Sequence, residues 1–213
     1  MARLKNGILG GMTGIIGPVE SYILRGQSVV RSRRQKSNKP LSARRQASLG
    51  RMKTVTNFLH PRLTEVISIG FADAATGKIQ NANNLASSYL YKNAVSGEYP
   101  DYQIDYPNVR FTEGPISTQG INAAVVKEEN QLRFSWTPDL TWPRNSDHVI
   151  LIACAPSLND AVYTLCGARS DAGTDVLKLP YAAWRGIAIE VYIAFKAENS
   201  MVCSNSIYLG QII

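Results

Sequence analysis

From Ala123 onward, apolar side chains fall on every second position, and a period of two commits this part of the chain to strands with one buried face. Leu132, Phe134 and Trp136 alternate with Gln131, Arg133 and Ser135, and Ile187, Ile189, Val191, Ile193 and Phe195 alternate with Glu190, Tyr192 and Lys196. Between them lie His148–Ala155, apolar on both faces, then Val162–Ala168 and Val176–Leu179, and Met201–Leu209 closes the series. About seven short strands, separated by Asn-Asp, Asp-Ala-Gly and Glu-Asn-Ser turns, predict an antiparallel sandwich of immunoglobulin or fibronectin type III kind. A tryptophan on an early strand and a tyrosine on a late one agree with it.

The first hundred residues follow other rules. In residues 6–17, NGILGGMTGIIG, each glycine costs about 1 kcal/mol against alanine in a helix, so an extended arm that needs a partner to order it is expected. Val19–Leu24 and Gln27–Ser32 read as strands joined at Arg25-Gly26, a hairpin turn. Lys39-Pro40 breaks the chain, and Ser42 caps a helix running to about Leu59, with Leu49, Met52, Val55 or Thr56, and Leu59 as its buried stripe. His60-Pro61 ends that helix. Pro61 opens a second one, with Leu63, Val66, Ile67 and Phe71 inward, and a third is expected over Ala82–Ala94, with Leu85, Tyr89 and Leu90 inward. The whole is an α+β chain in three parts: residues 1–97 with arm, basic hairpin and short helices, a Tyr/Pro-rich connector over 98–122, and the sandwich over 123–213.

Charge is distributed unevenly. The chain of 213 residues has a formal net charge of +7, yet residues 1–65 hold 13 Lys/Arg against Glu20 and Glu65, a balance of +11, and the remainder holds ten bases against 14 acids, −4. Such polarity is a statement about partners: the two parts attract, or copies attract head to tail. The cations Arg25, Arg31, Arg33, Arg34, Lys36, Lys39, Arg44, Arg45 and Arg51 are the expected contacts to an anionic partner or a neighbouring subunit. They suit phosphates or acidic protein faces, and no aromatic interleaves them to stack bases. Tyr99, Tyr102 and Tyr106, set among prolines and aspartates, form a second candidate contact loop.

No catalytic signature stands out. Gly77-Lys78 lacks the earlier glycine and the following Ser/Thr of a phosphate loop, with Ala72 and Ile79 in those places. The two histidines, His60 and His148, and three scattered cysteines, Cys154, Cys166 and Cys203, give no zinc spacing. The cysteines lie in apolar runs and are expected to be reduced core residues, a Cys154–Cys166 bridge being the alternative. Asp139, Asp147, Asp160, Asp171, Asp175 and Glu190 are expected on solvated loops and strand faces. No cofactor, metal or small-molecule substrate is inferred, no run reaches the ~20 apolar residues of a membrane helix, and a secretory signal is not expected from the glycine-rich start. The expected protein is a non-enzymatic assembly component, homo-oligomeric or part of a larger particle, placed in the cytoplasm or within that particle. Sequence-independent nucleic-acid binding is the alternative.

An opening KNGILGG, a hairpin ending VVRSR, the N-K-P-L-S helix start, YPDYQIDYPNVRFTEG and a terminal SNSIYLGQ together resemble a family of proteins of unknown function, of about this length, from Bacteroidota and their mobile elements. The likeness spans nearly the whole chain, and YPDYQIDY and SNSIYLG are its most specific parts. It implies a two-part layout and supplies no catalytic residue. The helix start departs from the family pattern, with Ser42 and Arg44-Arg45 where a Thr-x-x-Gln-like cap belongs. Similar hairpin-plus-basic-helix openings are found in proteins that look phage-derived, which implies particle or filament architecture.

Overall fold

A computed structural model describes residues 3–4, 11–24, 26–35, 39–59, 62–180 and 184–213. Contacts divide the chain into two units, 1–42 and 43–213. The boundaries expected at 97/98 and 122/123 both fall inside the second unit.

In the first unit, β1 (Arg3–Leu4), β2 (Met12–Ile16), β3 (Val19–Leu24) and β4 (Gln27–Ser32) form an antiparallel meander in chain order. The expected hairpin has the expected ends: Leu24 faces Gln27 across a two-residue turn, of which Arg25 lies outside the described residues. Part of the glycine-rich arm forms a strand as well. Ile16 faces Val19 across Gly17-Pro18, and Gly17 takes φ +54°, a left-handed turn position that glycine adopts without a Cβ penalty.

The second unit begins with α1 (Ala43–Leu59), α2 (Thr64–Gly70), α3 (Ala72–Ala75) and α4 (Ala82–Asn93). The Asn81 side chain accepts a 2.7 Å hydrogen bond from the Asn84 N–H and so caps α4. After the short pair β5 (Val95–Ser96) and β6 (Gln103–Ile104) come β7 (Ala123–Glu128), β8 (Gln131–Trp136), β9 (His148–Ala155), β10 (Asp160–Thr164), β11 (Thr174–Lys178), β12 (Ile189–Lys196) and β13 (Ile207–Ile212). These seven make two antiparallel sheets, β11-β8-β7 and β10-β9-β12-β13. Three strands facing four, in this order, is the fibronectin type III-like arrangement expected from the alternation.

Leu132, Phe134 and Trp136 fill the space between the sheets against Val149, Leu151, Ile193 and Phe195, and the Trp136 and Phe195 rings meet edge to face at 6.1 Å. The indole N–H of Trp136 donates to the Ser170 carbonyl at 2.9 Å, so its one polar group is satisfied in the core. A second core lies on the other side of the four-stranded sheet. There Val55, Leu59, Val66, Ile67, Phe71, Ala86 and Leu90 of the helices pack on Ile150, Ile152, Tyr192 and Ala194. Phe111 joins this layer, with its ring edge to face on Tyr192 at 4.8 Å.

Three expectations are corrected by the structure. Tyr192 and Glu190, expected on a polar strand face, are 0% and 2% exposed: the helical layer covers Tyr192, and Glu190 is held by Tyr208 and Gln211 of β13 beside Tyr106 and Pro156. In α1 only the C-terminal half of the stripe is buried: Leu49 and Met52 are 51% and 40% exposed, since the first turns of the helix meet the polar side of α4 rather than the sheet. Cys166, expected within a strand, is exposed after β10; Cys154 and Cys203 are buried, and all three are free thiols.

Candidate functional site

The structure spreads the nine cations over two settings. Arg25 and Lys36 lie outside the described residues. On β4, Arg31 sits opposite Glu20 of β3, donates to its carboxylate at 3.0 Å and lies 5.2 Å from the Tyr22 ring centre, so it is held within its own sheet. Arg33, Arg34 and Lys39 follow β4 and are exposed. Arg44 and Arg45 are exposed on the first turn of α1, in the second unit. Arg51 has a structural position: it donates to the Val95 carbonyl at 3.0 Å and lies over the Tyr91 ring at 5.1 Å, which ties α1 to α4 and β5.

The unit boundary changes the charge argument. Residues 1–42 hold eight Lys/Arg against Glu20, and residues 43–213 hold fifteen of each sign. All of the formal +7 therefore belongs to the first unit, and the second is balanced. A net attraction between an acidic body and a basic head, as the split at residue 65 suggested, has no basis at this boundary.

In the first unit, Ile15, Ile16, Ile23, Leu24 and Val30 are 41–61% exposed, and Ser21 is the one buried residue among those described. Pairing places Ile16, Val19, Ser21, Ile23, Ser28, Val30 and Ser32 on one face, which carries no charge. Glu20, Tyr22 and Arg31 share the other. Among the described residues β4 pairs only with β3, which leaves a six-residue outer edge.

The tyrosine loop lies within the second unit. Tyr99 is 52% exposed and its ring rests on α1 at Gly50, where an added Cβ would stand 3.3 Å from it. Tyr102 is half-buried against the helical core. Tyr106, on the single turn Tyr106–Asn108, lines two grooves with Pro156: one of about 430 Å³ toward Thr56, Asn57 and Phe58, the other of about 340 Å³ toward Ile187, Ala188, Glu190 and Gln211.

Sequence reasoning missed the second of these. Glu190 Oε2 accepts from the Tyr208 hydroxyl at 2.6 Å and Oε1 from the Gln211 amide at 2.7 Å, while the Tyr192 hydroxyl donates to the Tyr106 carbonyl at 2.8 Å. Burial, then the nearby Glu190 charge, pushes the Tyr106 phenol up; burial dominates for Tyr208 and Tyr192 too. The signal was present in Ile189–Phe195, which is as apolar on both faces as His148–Ala155 once Glu190 is set aside. A phenol raised on folding keeps its proton where the unfolded chain, at about pH 10, gives it up. The native state then binds more protons than the unfolded state, and stability falls as pH rises through that range. Urea midpoints are expected to drop steadily between about pH 9 and 11, and Tyr208→Phe is expected to flatten the slope.

The sequence profile of a family of unknown function, DUF6266, matches residues 11–210. The chain belongs to this family. For this DUF6266 chain the matched segment takes in β2 to β4 of the first unit, the helices and nearly all of the sandwich. No curated protein and no solved structure matches the chain. Among the described residues, no helix is long and apolar enough to cross a membrane.

Proposed function

We propose that this DUF6266 member is a non-enzymatic assembly protein whose N-terminal unit engages neighbouring subunits. The observation that carries the reading is that, among the described residues, the meander has no apolar core: it exposes five large aliphatic side chains and an unpaired six-residue edge. A small sheet of this kind is marginal alone and gains stability when a partner covers a face or extends an edge. On the likeness noted from the sequence, the assembly is a particle or filament in Bacteroidota or their mobile elements, with the protein in the cytoplasm or inside that particle. Sedimentation of the full chain at about 50 μM and low salt is expected to give oligomers that dissociate on dilution, and Val30→Glu, at the exposed middle of β4, is expected to weaken them. A strict monomer under those conditions overturns the reading.

One observation favours a second reading. A first unit with a formal charge of +7 beside a balanced second unit suits a polyanion, such as a nucleic acid, better than an acidic face of the same chain. In a titration against duplex and single strands, binding at about 50 mM salt is expected to weaken linearly with log salt, and Arg33, Arg34 and Arg44 changed together to Glu to flatten that slope. Absence of any affinity at that salt eliminates this reading.

A further inference from the structure

We propose that the groove floored by Glu190 is a binding site for a guanidinium cation. Glu190 is 2% exposed near the start of β12, where the groove is lined by the turn at Tyr106 and by Pro156, and its carboxylate has no ion-pair partner among the described residues. Among the described residues its hydrogen bonds come from neutral groups, the Tyr208 hydroxyl and the Gln211 amide. A buried carboxylate held only by neutral donors is incompletely compensated, and a cation completes it.

The remaining geometry selects the kind of cation. Each Glu190 oxygen already accepts one hydrogen bond, from Tyr208 on Oε2 and from Gln211 on Oε1, which leaves one lone pair on each. Two free acceptor positions on one carboxylate match the two parallel N–H groups of a guanidinium fork, whereas an ammonium presents a point charge. The groove holds about 340 Å³, within the range of small-ligand sites. Tyr106, Pro156, Ile187 and Ala188 wall it, giving a planar cation an aromatic ring and apolar flanks. A guanidinium reaches this site either as the side chain of an arginine, Arg33 or Arg34, from a second copy or as a free small molecule.

The test titrates the full chain with n-butylguanidinium and with its neutral isostere n-butylurea, following the Gln211 side-chain amide by NMR. Saturable binding, with the urea weaker by about tenfold or more, is expected, and Glu190→Gln is expected to lower guanidinium affinity by a similar factor. Equal affinities for the two probes on the unaltered chain overturn the proposal without reference to any variant. So does undiminished binding to a Glu190→Gln chain that still unfolds cooperatively. Sedimentation at saturating n-butylguanidinium separates the sources. Loss of self-association assigns the groove to an arginine of a neighbouring copy. Probe binding with association unchanged, or in a protein that is monomeric throughout, assigns it to a free guanidinium. In the monomeric case the assembly reading fails while this site stands.

Discussion

Removal of residues 1–42 is expected to leave a chain that unfolds cooperatively at nearly the full-length midpoint and no longer self-associates at any accessible concentration. Every buried hydrophobic residue among those described, from Val55 to Cys203, lies in 43–213. Both cores are built from that unit alone, the inter-sheet layer around Trp136 and Phe195 and the helix-covered layer around Phe71 and Tyr192. The burial that stabilises it, worth roughly 25 cal/mol per Å² of apolar surface, is untouched by the deletion. The exposed aliphatic face of Ile16, Ile23 and Val30 and the edge of β4 that is unpaired among the described residues leave with the deleted segment. Calorimetry and sedimentation velocity on the same preparation check both halves of the expectation. A truncated chain that still forms oligomers moves the assembly surface to the second unit and refutes the proposed role of the meander. A truncated chain that no longer unfolds cooperatively contradicts the division at residue 42.

Gly114→Ala is expected to destabilise the second unit by about 3 kcal/mol, at the upper end of what overpacking costs. An added Cβ there would stand 2.2 Å from the Cys203 carbonyl oxygen and 3.1 Å from its carbon, and backbone cannot swing aside as a side chain can. The same strip of connector is pressed from its other side. A Cβ on Gly70, at the end of α2, would stand 2.4 Å from the Phe111 carbonyl oxygen, so Gly70→Ala is expected to cost a similar amount. Residues 111–116 are thus threaded between the end of α2 and residues 203–206. Thr112 Oγ1 donates to the Ser204 carbonyl at 2.7 Å, Glu113 N–H to the Gly70 carbonyl at 2.9 Å, and Ile116 pairs with Ser204 as an isolated parallel bridge. Urea unfolding of the two variants measures the cost directly. An unfolding free energy within about 0.5 kcal/mol of the unaltered chain for either one contradicts this close approach.

Much of the architecture was written in local pattern. The ends of β3 and β4, the helix from Ala43 to Leu59 and the inward set Leu63, Val66, Ile67 and Phe71 follow from glycine and proline chemistry and from apolar spacing. So does the inward row Leu132, Phe134 and Trp136. These features depend on each residue's own backbone preferences and on neighbours two to four positions away. The cations of the basic stretch could likewise be named from the sequence. Which of them are engaged could not: Arg31 is held by Glu20 across a strand pair, and Arg51 by Val95, 44 positions along the chain.

The sequence by itself determined a seven-stranded sandwich preceded by a basic hairpin and helices, because periods of 2 and 3.6 and turn residues act over a few residues. Only the tertiary structure decided that the helices lie on the outer face of β9 and β12. An alternation pattern reports the side to which each residue points and is silent on what lies opposite. Tyr192 therefore reads as part of a wet face until helices from about a hundred positions earlier are seen to cover it. The same cause left Leu49 and Met52 in solvent and made Gly70 and Gly114 the points where backbones touch. Apolar spacing marks a buried row, but which distant segment covers it is a property of packing that no short-range pattern encodes.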